Sequence, residues 1–102
     1  MIDTIESAVC AYLDIAPHQL RRRRRMRELV RARWHVWYLL RHRHELTLSD
    51  IGRRYEVDHS TVLHGVQQME RMIRESRAVR VTCEGIGRLL DGGSEATDEG
   101  IV

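Results

Sequence analysis

The sequence predicts an all-α fold, a small helical bundle that contains a helix-turn-helix. Apolar residues recur at intervals of three and four along several segments, as they do on one face of an α-helix, and no segment alternates in the manner of a strand. The chain has 102 residues, no Phe and a single Pro. This size and composition fit one domain of short helices around an aliphatic core.

The first element is an N-terminal helix that Asp3 or Thr4 caps. It ends at Ala16 and Pro17, because proline disfavours helical backbone in the residue before it. The short connector that follows places Leu20 in the core. The predicted buried stripe of this helix consists of Ile2, Ile5, Val9, Tyr12 and Leu13.

A basic loop and a long helix come next. Arg21–Arg25 is a block of five like charges, which repel one another, so we interpret it as a loop that becomes ordered on an anionic partner. Helix resumes near Arg27 and continues to about His44. Its core face is predicted to consist of Leu29, Val30, Val36, Trp37 and Leu40.

Residues 47–76 have the pattern of a helix-turn-helix, in which a short amphipathic run, a polar break and a second amphipathic run follow one another. Thr47 begins the first helix, with Asp50 in the place of the usual Glu of a capping box. Gly52 permits a close approach between helices. Asp58 is predicted to cap the second helix, which runs from His59 to about Ser76. The apolar stripe of the second helix is Val62, Val66, Met69 and Ile73.

A C-terminal helix is predicted from about Val79 to Asp91, and Gly92-Gly93 ends it. Its buried residues are expected to be Val81, Ile86, Leu89 and Leu90. One domain would then occupy residues 1–91. Residues 92–102 are acidic and poor in bulky apolar side chains, so they are predicted to form a disordered tail.

Charge is distributed unevenly along the chain. The formal net charge is only +2, yet the segment from Arg21 to Arg80 holds sixteen arginines against seven acids, and both ends of the chain are acidic. A concentrated positive field suits a polyanionic partner. Every basic residue is Arg and none is Lys. A GC-rich genome would explain that bias, but guanidinium also binds phosphate and guanine edges through two hydrogen bonds.

Several other classes of function find no support in the sequence. Cys10 and Cys83 have no partner at metal-ligand spacing and are expected to be reduced. The histidine pairs 42/44 and 59/64 lack acids or cysteines at matching spacing, so neither a metal nor another cofactor is predicted. We find no nucleophile with a general base and predict neither an enzyme nor a small-molecule substrate.

Localisation follows from segments that are not found. There is no basic N-terminal region of a signal peptide and no apolar run of the ~20 residues that span a bilayer. The sequence therefore predicts a cytoplasmic protein with no membrane partner.

Residues 51–64, IGRRYEVDHSTVLH, closely resemble the signature of the C-terminal DNA-binding domain, domain IV, of bacterial DnaA replication initiators. That signature has the general form I-G-x-x-F-G-G-R-D-H-[ST]-T-V-L-H. Ile51, Gly52 and the run from Asp58 to His64 match it, and Tyr55 occupies its aromatic position. The resemblance extends upstream. The first helix of the family is similar to VCAYLDI, its basic loop to Gln19-Leu20 with the arginines, and its long helix to Arg33 with WYL at 37–39. The similarity covers roughly residues 5–90.

The resemblance implies double-stranded DNA as the partner and assigns base contacts. The residues for the major groove are Asp58, His59, Ser60 and Thr61, and Arg25 takes the minor-groove position. Chemistry agrees, because a carboxylate accepts from the cytosine amino group, an imidazole donates to base acceptors, and the Thr methyl can contact a thymine methyl. Each has a structural alternative: helix capping for Asp58, an ordinary surface position for His59, and a preference for helix N-termini for Ser60 and Thr61.

Phosphate contacts are predicted from the charged segment upstream, although a solvated face is the alternative explanation for such a run. The predicted set consists of Arg21, Arg22, Arg23, Arg24, Arg27, Arg31, Arg33 and Ser49.

Two departures from the family pattern affect the expected function. Glu56-Val57 replaces the Gly-Gly-Arg of the family and is one residue shorter, so the turn loses an arginine near the bases and gains an acid. This change predicts that the family's nonamer box is bound with less than full affinity. In addition, no Walker A loop occurs in the sequence, which predicts a chain without the initiator's ATPase module.

Two functional hypotheses remain. The first is sequence-specific binding of double-stranded DNA that regulates replication initiation or transcription. The second is a protein-interaction module that docks on a replication protein and has lost specific DNA recognition. The altered turn at Glu56-Val57, an exposed Trp34 and the acidic tail motivate the second hypothesis.

Overall fold

The computed structural model describes residues 2–21 and 26–92, with Arg21 described by its backbone alone. These residues form five α-helices and one 3-10 helix, and they contain no strand, which confirms the all-α prediction. The α-helices are α1 (Ile2–Leu13), α2 (Arg27–His44), α3 (Leu48–Tyr55), α4 (His59–Glu75) and α5 (Arg77–Leu90), and the 3-10 helix is Pro17–Arg21.

Helix α1 differs from its prediction at both ends. It already begins at Ile2, so Asp3 and Thr4 lie within its first turn and neither caps it. It ends at Leu13 rather than at Ala16, because Asp14 adopts a left-handed backbone with a φ of 59°. Pro17, which was expected only to end α1, begins the 3-10 helix instead.

The core is built around α2, which packs against α1 and α4. Leu20 is fully buried, as predicted for the connector. Along α2 the predicted residues are buried except Val30, which is half-buried, and the structure also buries Ala32, His35 and Leu39. Two packing partners cover two sides of this helix, so more of its circumference is buried than one apolar stripe would indicate. The fully buried larger side chains are Ile5, Val9, Leu20, Val36, Leu40, Ile51, Val62, Met69 and Ile86.

A buried polar cluster links α1 to α3. The Tyr55 hydroxyl donates to Glu6 Oε2 at 2.5 Å, and Arg54 Nη2 lies 3.6 Å from Glu6 Oε1. Arg54 also donates to the Asp3 carboxylate at 2.8 Å. Because Glu6 is buried, these donors offset the cost of removing its carboxylate from water. The cluster therefore holds the N-terminal helix against the first helix of the helix-turn-helix.

The helix-turn-helix is closed by a cap, a left-handed residue and a glycine. Thr47 Oγ1 accepts from the Asp50 backbone N–H at 3.0 Å, which confirms Thr47 as the start of α3. Glu56 ends α3 with a φ of 56°. A Cβ atom on Gly52 would lie 2.6 Å from the Val57 carbonyl oxygen. Gly52 therefore permits the turn itself to approach α3, whereas the sequence predicted a helix-helix approach.

Helix α5 begins two residues earlier than predicted, because Ser76 caps it by accepting from the Val79 backbone N–H at 3.3 Å. Ile86 is fully buried as predicted. Val81 and Leu89 were expected in the core but are 46% and 45% exposed, and Tyr12 of α1 is 41% exposed. The residue of α5 that faces α1 at this point is Gly85, on which a Cβ would overlap the Tyr12 ring. Helix α5 therefore packs against α1 through a side that the spacing of its apolar residues did not predict.

The predicted tail falls almost entirely outside the described residues. The structure reaches Gly92, which follows α5 with a φ of 71°, and the prediction for 93–102 concerns residues beyond it.

Two glycines provide a test of the packing around α4 and α5. A Cβ on Gly65 would lie 2.5 Å from Trp34 Cδ1 and 2.7 Å from Trp37 Cε3, so Gly65→Ala is expected to lower the free energy of unfolding by about 1–3 kcal/mol. Gly87 is the matched control, since the nearest atom to its Cβ would be Arg43 Nη2 at 3.8 Å. Gly87→Ala should raise stability by up to about 1 kcal/mol through helix propensity. Urea unfolding of both variants measures this, and equal effects would contradict the packing.

The buried imidazole of His35 provides a pH-dependent test. His35 is 4% exposed, and burial, with a smaller effect of the Arg31 charge, lowers its pKa from 6.5 to about 4. Between these pH values the unfolded chain takes up a proton that the folded chain excludes. His35 should therefore contribute fully to stability above pH 6.5 and lose about 2–3 kcal/mol as the pH falls towards 4.

Urea unfolding at about pH 7 and about pH 4.5 measures this loss, to which carboxylates also contribute. In His35→Phe the difference between the two pH values should shrink, whereas in His44→Gln, a change at an exposed histidine, it should not. If His35→Phe lost as much unfolding free energy between the two pH values as the unsubstituted protein, groups other than His35 would cause the loss.

Candidate nucleic-acid interface

The turn between α3 and α4 borders an open groove of about 500 Å³, which we call the turn groove. It brings together three residues that the sequence predicted for DNA contacts, Ser49, Asp58 and His59. Because Gly52 lets the turn lie against α3, residues from both helices meet there. The full lining is Ser49, Gly52, Arg53, Glu56, Val57, Asp58 and His59.

The first turn of α4 is exposed, whereas one face of the rest of the helix lies in the core. All four residues predicted for the major groove, from Asp58 to Thr61, are exposed. Val62 and Met69 are fully buried and Val66 nearly so. Asp58 to Thr61 are consecutive and span a whole turn, so their exposure reflects the free N-terminal end of α4. Val62, Val66 and Met69 recur at intervals of four and three and therefore share one buried face. The arrangement leaves the polar end of α4 accessible to a large partner.

Asp58 occupies the N-cap position of α4, but its carboxylate forms no cap hydrogen bond. Only its backbone carbonyl participates, accepting from the N–H groups of Thr61 at 3.0 Å and Val62 at 3.2 Å. Asp58 is therefore the N-cap of α4, as predicted, but its side chain takes no part in the cap. Its exposed carboxylate can accept hydrogen bonds from a ligand instead.

Arg53 is a candidate residue that the sequence reasoning missed. It lies on α3 one helical turn after Ser49, lines the turn groove, and forms an exposed ion pair with Asp50. The spacing of four residues between Ser49 and Arg53 could have revealed it, because such pairs share one helix face. An exposed guanidinium at this position can contact phosphate or a base edge.

The turn itself is acidic. Glu56 and Asp58 both line the groove, where Arg53 is the only arginine of the lining. Two carboxylates accept hydrogen bonds and cannot donate them, so this edge suits exposed amino groups, such as those of cytosine and adenine, better than guanine acceptors.

His64 supports α4 rather than lining the groove. Its exposed ring packs edge-on against Trp34 of α2, with ring centroids 5.9 Å apart. Trp34 also borders Gly65 and is half-buried, so it does not stand free of the surface.

The arginines upstream fall into two structural groups. Arg27 and Arg31 are exposed and border a cavity of about 330 Å³ between the start of α2 and the start of α5. Together with Trp34 they recur at intervals of four and three on one face of α2. The cavity that they border is also lined by Met72 of α4 and by Ala78 and Val79 of α5, so both arginines lie near the C-terminal end of α4 and not beside its first turn. Arg33 differs, because its Nη1 donates to the Leu20 carbonyl at 3.2 Å and burial lowers its pKa.

The remaining predicted arginines are not described. Arg22, Arg23, Arg24 and Arg25 lie outside the described residues, and the side chain of Arg21 does as well. The structure places the residues on either side of them: Leu20 is held by Arg33, and Met26 precedes α2.

Residues 2–21 and 26–92 give no support for a metal site or a membrane span. Within them, no group of three His, Cys, Asp or Glu side chains is arranged to hold a metal ion. Cys10 and Cys83 are free thiols, and burial raises the pKa of each. Among the same residues, no helix has the length and apolar character to cross a membrane.

The N-caps of α3 and α4 differ, because the side chain of Thr47 caps α3 whereas the carboxylate of Asp58 forms no cap hydrogen bond. Thr47→Ala removes a 3.0 Å cap hydrogen bond and is expected to lower the free energy of unfolding by about 1 kcal/mol. Asp58→Ala removes a side chain that caps nothing and should cost less than about 0.5 kcal/mol, mainly its attraction to the helix dipole. Urea unfolding of both variants tests this. Equal losses would indicate that the Asp58 carboxylate does cap α4.

Comparison with known proteins agrees with this geometry. Residues 2–69 match the family model described as the bacterial dnaA protein helix-turn-helix. Similar relatives are the chromosomal replication initiator proteins DnaA of Oleidesulfovibrio alaskensis, 43% identical over 69% of this chain, of Thermomicrobium roseum, 39% over 72%, and of Chlorobaculum tepidum, 30% over 88%. The chain spans only 15–18% of the length of these three relatives. From the family match and these identities, the chain belongs to the bacterial DnaA helix-turn-helix family of DNA-binding domains.

Proposed function

We propose that this chain binds double-stranded DNA in a sequence-specific manner and regulates the initiation of DNA replication. The observation that carries the proposal is the exposure of Asp58, His59, Ser60 and Thr61 at one end of α4, whose other side is buried. A helix anchored in this way can enter the major groove with its first turn and leave its core contacts intact.

Base recognition would come from the first turn of α4. The Asp58 carboxylate accepts from a cytosine amino group, the His59 ring donates to a base acceptor, and the Thr61 methyl contacts a thymine methyl. The carboxylate of Glu56 adds a second acceptor where the family has glycines and an arginine. We therefore expect a preferred sequence that differs from the family's nonamer where the missing guanidinium would contact guanine.

Phosphate contacts would hold the duplex in register. Ser49 and Arg53 lie on the α3 side of the turn groove and can contact one strand. Arg27 and Arg31 are exposed on α2, and Arg21–Arg24 supply further charge upstream of it, while Arg25 would enter the minor groove. Arg33 is the exception, because its guanidinium donates to the carbonyl of Leu20 and so anchors the residue that precedes the run of arginines.

Regulation of replication is inferred from the relatives, which are named as chromosomal replication initiators. A domain that binds the sites of such an initiator would compete with it or position it. This role places the chain in the cytoplasm at the nucleoid, and a replication protein could be a second partner.

The alternative of a pure protein-interaction module is less well supported. One of its motives was an exposed Trp34, and the structure packs Trp34 against His64 and Gly65. The first turn of α4 instead exposes the polar residues Asp58 to Thr61, and this is the part of a helix-turn-helix that contacts DNA.

Selection from a random duplex library followed by fluorescence anisotropy tests the proposal. At about 150 mM salt the selected duplex should bind at least tenfold more tightly than its scrambled version. His59→Ala should weaken binding to the selected duplex about 5- to 100-fold, with little effect on the scrambled one, because it removes a base contact. His44→Ala, an exposed histidine at the end of α2, should change neither affinity. Equal affinity for selected and scrambled duplexes would refute sequence-specific binding.

A further inference from the structure

Three exposed apolar side chains lie together on the outer face of α1 and α5. They are Tyr12 of α1 and Val81 and Leu89 of α5, each more than 40% exposed. On α5, positions 81, 85 and 89 follow one another at single helical turns, and the Tyr12 ring covers the middle position, Gly85. We call Tyr12, Val81, Gly85 and Leu89 the α1–α5 patch.

The clustering distinguishes this patch from ordinary exposed residues. Among the described residues only two other large apolar side chains are similarly exposed: Met26, immediately before α2, and Leu63 on α4. Isolated apolar side chains at a surface need no explanation, but a contiguous group commonly marks an interface. No residue of the α1–α5 patch lines the turn groove, so an occupant of the patch would leave the DNA-contacting turn uncovered.

The charges beside the patch indicate which partner fits. Glu84 and Arg88 are exposed on α5, one helical turn apart, next to Val81 and Leu89. Within the described part of the chain neither forms an ion pair. Both charges lie on the same flank of α5, offset along its axis by one turn. An acid and a base offset in this way are complementary to a second copy that is rotated by half a turn, because each acid then lies near the base of the other copy.

We propose that the α1–α5 patch pairs with the same patch of a second copy of this chain, with α5 antiparallel to its counterpart and the Tyr12 rings, which cover Gly85, at the two-fold axis. In this arrangement Val81 contacts Leu89 of the second copy, and Leu89 contacts its Val81. Glu84 and Arg88 likewise form ion pairs across the interface. The two Tyr12 rings cover the centre of the interface.

The dimer is expected to be weak in free solution. Three half-exposed side chains per copy are well below the roughly 800 Å² per partner of a standard interface, so a dissociation constant on the order of 10–100 µM is expected. On DNA, and here the inference rests on the proposed function, two copies at neighbouring sites have an effective mutual concentration of about millimolar. Weak pairing of this kind would make occupation of adjacent sites cooperative.

Sedimentation equilibrium of the full chain without DNA tests the self-association separately from DNA binding. From about 5 µM to about 1 mM, the average mass should rise from 12.0 kDa towards twice that value. Leu89→Glu should keep the mass at that of the monomer. The control is Met26→Glu, which places the same charge on a side chain that is 49% exposed but lies outside the patch, and it should dimerise normally. Circular dichroism verifies that both variants are folded.

Charge reversal tests the predicted pairing. Glu84→Arg or Arg88→Glu alone should weaken dimerisation about threefold to tenfold at low salt, and the double reversal should restore it, because the ion pairs form again with opposite polarity. A mass of 12.0 kDa at every concentration, or dimerisation unaffected by Leu89→Glu, would overturn the proposal. Dimerisation that appears only after removal of residues 93–102 would also overturn the proposal, because these residues, and not a second copy, would then occupy the patch in the full chain.

Discussion

The proposed DNA-contacting turn depends on one close approach, between Gly52 and the carbonyl oxygen of Val57. A side chain at Gly52 would place its Cβ 2.6 Å from that oxygen, so the turn can close against α3 only at a glycine. The Thr47 cap and the left-handed backbone of Glu56 then determine where α3 begins and ends. The angle between α3 and α4, and with it the position of Asp58 and His59, follows from these local constraints.

Arginine serves two purposes in this small domain, and burial separates them. Arg33 and Arg54 lie partly inside, where they donate to the Leu20 carbonyl and to the carboxylates of α1. Arg27, Arg31 and Arg53 remain exposed. Interior guanidinium groups require acceptors, since an unpaired charge away from water is costly. The arginine surplus of the sequence is therefore larger than the charge available for a partner.

The two sides of the domain carry different chemistry. The turn groove is polar and contains two carboxylates, a histidine and an arginine, whereas the α1–α5 patch is apolar with one charge of each sign beside it. The polar cluster of Glu6, Arg54 and Tyr55 and the core around α2 connect these surfaces. A protein that pairs through one surface and binds DNA through the other would use both without competition between them.

The sequence by itself determined the helical elements, the Thr47 cap, the burial of Leu20 and the exposure of Asp58 to Thr61. It also determined three of the four residues of the α4 stripe, Val62, Val66 and Met69, whereas Ile73 is half-buried. Each follows from a local rule of helical period, capping or polarity. Only the tertiary structure decided that Tyr12, Val81 and Leu89 are exposed, that Arg33 binds a carbonyl, and that Gly52 meets the turn. Periodicity states which residues share a face of a helix, but it does not state which neighbouring element covers that face or which acceptor a long side chain reaches.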